Sequence, residues 1–187
     1  MLWLLQRENY SDISIERVAA QAKVGKHSIY RWWGSRGELI LDAFVEYALQ
    51  RAAKGSVSND TFADIERFVQ CAYQAWQDPL YEKGLRGLVI EMSFDPQLRQ
   101  RFNATYLASR KAAVAAMLQH GIELGQVRAD IDIGAVVDAL YGFIWFHVSF
   151  DVAEVDERVA AHQLLTLLRP ALQTPPRVDG AVCCSGH

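Results

Sequence analysis

With 187 residues, 51% apolar and 22% charged, the chain can bury one or two sizeable cores, and disorder is not expected outside its tail. Its formal charge of −3 excludes a uniformly basic surface, so a polyanionic partner has to be met by a local patch. The longest apolar run, 135–150, contains Asp138 and His147 and falls short of the roughly 20 residues of a membrane span; Leu2 to Leu5 is too short for a signal-peptide core; and three cysteines, Cys71, Cys183 and Cys184, make no disulfide framework. A cytoplasmic protein is the expectation.

The N-terminal helix, Met1-Leu2-Trp3-Leu4-Leu5 onward, has about two turns before Asn9-Tyr10. Ser14 then caps a helix whose apolar residues Ile15, Val18, Ala19 and Ala22 fall on one stripe, with Ile13 and Val18 placed for a hydrophobic staple. The pattern breaks near Lys23, where Val24-Gly25 predicts a turn. A second short helix is predicted over Lys26 to Trp33. Ile29 and Trp33 share its buried side, His27, Ser28 and Arg31 point directly away, and Lys26, Tyr30 and Trp32 lie on the flanks. Gly34 is expected to close this helix in the left-handed conformation, and Ser35 with Glu38 forms a capping box for the next. That helix start, with Arg36 beside it, is an anion site suited to a DNA phosphate.

The chemistry of this unit is that of a helix-turn-helix, since a helix in the major groove shows its outermost residues to base edges and its flanks to phosphates. His27, Ser28 and Arg31 are the candidate base readers; Ser14, Lys26, Tyr30, Trp32 and Arg36 are the candidate phosphate contacts. Charge is distributed accordingly. Residues 1–54 carry 8 Lys/Arg and 6 Asp/Glu, net +2, and the remainder carries 11 against 16, net −5. From Arg17 to Arg36 there are five basic residues and no acid.

Residues Tyr10 to Phe44, in the run ERVAAQAKVGKHSIYRWWGSRGELILDAF, resemble the DNA-binding domain of tetracycline-repressor-like (TetR family) transcriptional regulators. The resemblance implies an all-helical homodimer that represses transcription until a small molecule binds its larger C-terminal domain. By position, Ser14, Lys26, Tyr30, Trp32 and Arg36 match places where such proteins touch phosphates, and His27, Ser28 and Arg31 match the variable reading surface. Gly25 departs from the serine or threonine usual there. The first helix is also shorter than the resemblance implies; either the gene starts upstream or DNA is held with less electrostatic support.

The linking helix is predicted over about 36–54, followed by the loop 55–59 and a helix over Thr61 to Gln77. Asp78-Pro79 and Asp95-Pro96 each supply an N-cap with proline at the first helical position. Residues 96–124 read as one long helix ending near Gly125, and helices over about Ile133 to Phe150 and Glu154 to Leu172 complete the chain. The expected architecture is all-α with about nine helices: a three-helix DNA-binding domain with its linking helix (1–54), a ligand-binding and dimerisation domain (55–173) and a flexible tail (174–187).

Helix 133–150 is apolar nearly all round, so it and the helix after it are expected to pair with their twins as a four-helix bundle. Tyr141, Ile144, Val148, Leu164, Leu165 and Leu168 are the interface candidates. A palindromic operator follows from such symmetry. Trp76, Met92, Phe102, Tyr106, Tyr141 and Trp145 are candidate walls of a cavity for a hydrophobic or aromatic effector, although each is more readily a plain core residue. No isolated charge stands out among them. No cofactor is expected. Asp130 and Asp132 read as a loop and a helix cap, His120 with Glu123 lacks further ligands, and Cys183-Cys184 with His187 offers three ligands in a loose tail. An enzyme is disfavoured because no nucleophile, base or metal constellation has catalytic spacing. The competing reading is a dimeric helical adaptor or small-molecule-binding protein with weakened DNA binding.

Overall fold

A computed structural model describes residues 1–51, 57–150 and 156–173. The predicted helix ends at 52–54 and 154–155 and the tail with Cys183 and Cys184 lie outside these residues. The described chain is all-α, its ten α-helices making nine rods because two run on through a π-helical turn; its β-type pairing among the described residues is an isolated bridge between Val127 and Gln173.

The N-terminal rods are α1 (Leu2–Arg7), a 3-10 turn (Tyr10–Asp12), α2 (Ile15–Ala22), α3 (Lys26–Tyr30) and α4 (Arg36–Arg51). They are followed by α5 (Thr61–Trp76) and α6 (Pro79–Met92). The long helix predicted over 96–124 is present as α7 (Pro96–Phe102), a π-helical turn (Asn103–Leu107) and α8 (Ala108–Glu123). Then come α9 (Ile133–Phe150) and α10 (Glu157–Leu172). No helix among the described residues is long and apolar enough to cross a membrane.

Capping chemistry sets most boundaries. Asp78 accepts from the N–H groups of Leu80 and Tyr81 at 2.9 and 3.3 Å, and Asp95 from those of Gln97 and Leu98 at 3.0 Å each, so both Asp-Pro pairs start helices. Asp132 caps α9 through Ala135 N–H at 3.1 Å, a structural role for that acid. After α8 the chain turns at Gly125, whose φ of 71° favours glycine.

The packing departs from a division at residue 54. One core joins α1 to α4 with α6 and α7, through Leu5, Ile13, Ile40, Phe44, Leu88 and Leu98. The other joins α5, α8, α9 and α10, through Ile65, Val69, Val114, Leu118, Leu140 and Leu164. Helix α6 therefore belongs, by packing, to the N-terminal unit.

Candidate DNA-binding surface and ligand cavity

Ser14 caps α2 by accepting from Arg17 N–H at 3.2 Å, and Ile13 and Val18 are both buried beneath the cap. The turn that follows is made by Lys23, which adopts φ 56°, ψ 39°. Gly25 has φ −69° and caps α3 without a side chain, so the left-handed step falls two residues earlier than glycine placement predicts. Regular α-helix ends at Tyr30, yet Trp33 N–H still bonds Ile29 C=O at 3.0 Å, which carries the helical turn through to Trp33. Gly34 does not take positive φ. Its N–H donates instead to Glu38 at 2.8 Å while Ser35 Oγ accepts from Glu38 N–H at 3.2 Å, a reciprocal cap shifted by one residue from the ideal box.

This local geometry leaves Lys26, His27, Ser28, Tyr30, Arg31 and Trp32 exposed around a buried Ile29. Trp32 is 75% exposed. Lys26 forms an ion pair with Glu16 and lies 5.6 Å from the Tyr30 ring centroid. Ser14 is half-buried.

Arg36 is half-buried. Its guanidinium turns inward, donating to the carbonyls of Tyr10, Ser11 and Ile13 at 3.4, 3.3 and 3.2 Å and to Glu91 at 3.0 Å. Its two terminal nitrogens thereby hold the 3-10 turn against α6. Glu91 also accepts from the Tyr10 hydroxyl at 2.6 Å, and burial together with that carboxylate pushes the Tyr10 phenol well above its ordinary value. A second tie runs from the recognition helix: Trp33 Nε1 donates to Asp42 at 2.8 Å, and Arg101 of α7 donates to the same carboxylate at 2.8 and 2.9 Å.

Behind these ties lies a cavity of about 360 Å³, walled by α5 (Ala72, Trp76), α6 (Tyr81, Leu85, Val89), α7 with its π-turn (Phe102, Tyr106, Leu107), α8 (Arg110) and α9 (Tyr141, Gly142, Ile144, Trp145). Trp76, Phe102, Tyr106, Tyr141 and Trp145 are thus brought together. Met92 is not: it is buried in the first core, one turn beyond Val89. Trp76 meets Tyr81 and Trp145 edge to face at 6.0 and 5.6 Å, and the hydroxyls of Tyr81 and Tyr106 touch. Burial raises the Tyr141 phenol to about 12, against the nearby positive charge of Arg110.

Tyr81 and Arg110 were not among the sequence candidates. Arg110 carried a readable signal, since Tyr106, Arg110, Val114 and Leu118 are spaced by four and the other three are buried. A cation in register with an apolar stripe points at something inside.

The interface candidates divide. Ile144, Leu164 and Leu165 are buried within the chain's own core, so they are unavailable to a second copy. Tyr141 lines the cavity, Leu168 is half-buried, and the Val148 side chain lies outside what is described. The exposed large apolar residues of α9 and α10 are Trp145, at the cavity mouth, and Phe146, Phe150, Val159 and Leu167, the last 71% exposed. The register slips because α9 turns Leu140 and Ile144 onto α5 and α8, which a periodic reading of an all-apolar helix cannot choose. Among the described residues no cluster of His, Cys, Asp and Glu has metal-site geometry; His120 and Glu123 form a 3.5 Å pair on α8.

Comparison with known proteins gives a consistent result. A family model described as the tetracyclin repressor-like C-terminal domain matches residues 58–167. The HTH-type transcriptional regulator YdeS of Bacillus subtilis (strain 168) is 24% identical over 156 residues, spanning 82% of this chain and 77% of its own. The HTH-type transcriptional regulator Mb1581 of Mycobacterium bovis is 28% identical over 145 residues, 78% and 70% of the two chains. The crystal structure of the TetR family transcription regulator SCO0332 superposes with TM-score 0.72 at 28% identity, covering 89% of this chain and 91% of that one.

Proposed function

Since the chain belongs to the tetracycline-repressor-like family of HTH transcriptional regulators, we propose that it is a repressor that binds a palindromic operator as a homodimer and leaves it when a small molecule fills the cavity. The observation that carries this is the exposed arc of α3 and its extension, His27, Ser28 and Arg31 at the centre, with Lys26, Tyr30 and Trp32 on its flanks. That arrangement supports base reading at the centre and backbone contacts at the edges. Ser14 joins the phosphate contacts through its hydroxyl hydrogen, its oxygen already accepting at the cap.

The dimer is supported by the large apolar side chains that α9 and α10 leave exposed, Phe146, Phe150, Val159 and Leu167, which a partner surface would cover. Two copies would set recognition helices about 34–36 Å apart, one turn of DNA. Release is supported by α6. One side of it, Tyr81, Leu85 and Val89, walls the cavity; another, Gly87 and Glu91, holds Tyr10 and Arg36. A ligand that prefers a shifted α6 must lower operator affinity by the ratio of its affinities for the two states.

The test is fluorescence anisotropy with duplexes covering the DNA next to the protein's own gene, over a salt series. Tight binding that weakens linearly in log–log form with salt is expected. Failure to bind any duplex at low ionic strength overturns the reading in favour of a helical adaptor.

A further inference from the structure

Among the described residues that wall the cavity, Arg110 is the one ionised side chain. Its neighbours are rings and phenols. The guanidinium lies 5.5 Å from the Tyr106 ring centroid and 6.0 Å from that of Phe68, and the groups that act on its charge are Tyr106, Tyr81 and Tyr141. No described carboxylate pairs with it, whereas Arg17, Arg36, Arg67, Arg86, Arg101 and Arg128 all have one. Ring faces offset only part of the cost of drawing a guanidinium into an apolar wall.

Two hydroxyl groups share the predicament. Tyr141 Oη is buried beside the Arg110 guanidinium, which acts on its charge, and its own hydroxyl hydrogen has no acceptor. Tyr81 and Tyr106 bond to each other, but only one of two hydroxyl hydrogens is consumed in such a contact, so the pair retains one donor. The cavity therefore offers a fixed cation and two O–H donors with no anion to receive them. A carboxylate, which only accepts and carries the opposite charge, answers all three. An amine meets like charge, and a neutral alcohol leaves the guanidinium uncompensated.

Building on the reading of this cavity as the effector site, we propose that the effector is a small organic monoanion. Its carboxylate sits against Arg110 and the Tyr141 hydroxyl, and its aromatic or short aliphatic body packs among Trp76, Phe102 and Trp145. The volume of about 360 Å³ lies near the lower end of ligand sites and selects a compact body over a long acyl chain.

Three probes of one shape and three charges test this by calorimetric titration into the full-length protein: phenylbutyrate, phenylbutanol and phenylbutylamine. The acid is expected to bind at least tenfold more tightly than the alcohol, with the amine weakest. Arg110→Met should remove the preference for acid over alcohol while leaving alcohol affinity within about threefold, and Arg110→Lys should restore part of it. Thermal melts of both variants confirm that each is folded. Equal affinity for acid and alcohol, or a preference that survives Arg110→Met, overturns the anion assignment and leaves the cavity standing as an effector site. Absence of binding by all three overturns the cavity reading as well.

Discussion

The arc on the recognition helix and the cavity behind it are built on opposite plans. The arc is a short run, Lys26 to Trp32, whose side chains stand exposed on a single buried anchor, Ile29. The cavity gathers its wall from α5, α6, the π-turn, α8 and α9, and several of those residues, among them Tyr81, Phe102 and Tyr106, are also core. A substitution on the arc should alter binding and leave stability nearly unchanged, since few packing contacts are lost. The same change in the cavity wall perturbs both. Helix α6 walls the cavity on one side and on another holds Tyr10 and Arg36, which flank the helix-turn-helix.

The largest expected effect breaks the contrast at that junction. A Cβ on Gly87 would lie 2.1 to 2.5 Å from Tyr10 ring atoms, so Gly87→Ala must displace the ring and its bond to Glu91. Overpacking of this kind costs about 1–3 kcal/mol. Calorimetric melting should show a lower Tm, and anisotropy a weaker DNA complex, because the displaced turn also carries the carbonyls that hold Arg36. An unchanged Tm would show that α6 and the 3-10 turn do not pack as described.

Next in size is a change confined to the second core, remote from both sites. Asp64 is buried, and although burial alone raises its pKa, it is held below the ordinary aspartate value by Ser58 N–H and Oγ at 2.6 and 2.9 Å and by Arg67 at 2.9 Å. A depressed carboxylate contributes stability that is present above the unfolded value and is lost as pH falls through the folded one. Melting temperature should therefore drop as pH falls below the ordinary aspartate range, and Asp64→Asn should remove that part of the pH dependence. DNA affinity of the folded variant should stay at the wild-type level, sharpening the separation between core and arc.

How much of this was legible in the sequence follows from the same contrast. Ser14, Ile15, Val18, Asp78, Asp95 and Asp132 act on neighbours within one or two turns, and the helix starts they mark are where the spacing places them. The arc, too, is defined by angles along one short helix. What was not legible required knowledge of what comes across from elsewhere. Arg36 looked free until the carbonyls of residues 10–13 and Glu91, 55 residues away, were brought against it. Met92 and Val89 are one turn apart, and only the placement of α7 and α9 decides which faces the void. Ile144 and Phe146 are equally apolar, but one is 5% and the other 53% exposed.

A smaller effect separates reading from holding within the arc. Arg31 is exposed, outermost and without an ion pair among the described residues, so Arg31→Ala should cost about tenfold on the preferred operator and far less on unrelated DNA. Lys26→Ala should weaken all sequences alike and lower the salt slope by about one phosphate. Anisotropy on matched specific and random duplexes distinguishes the two; equal losses on both duplexes from both variants would remove Arg31 from the reading surface.

The smallest effect concerns the acid that precedes the basic stretch. Glu16 pairs with Lys26, and that hydrogen bond lowers its pKa while raising that of the lysine. Both groups are exposed, so the pair adds little to stability. Its consequence is for DNA: the ammonium must leave Glu16, or share itself, to reach a phosphate, and the carboxylate repels the same backbone. Glu16→Gln should then raise affinity a few-fold for specific and random duplexes alike and leave Tm nearly unchanged, with the gain fading as salt screens the phosphates. The gain should vanish in a Glu16→Gln, Lys26→Ala double variant if the two residues act through one contact. A gain that persists there would assign the effect to general repulsion between Glu16 and the DNA, and would leave Lys26 without the flank role the arc gives it.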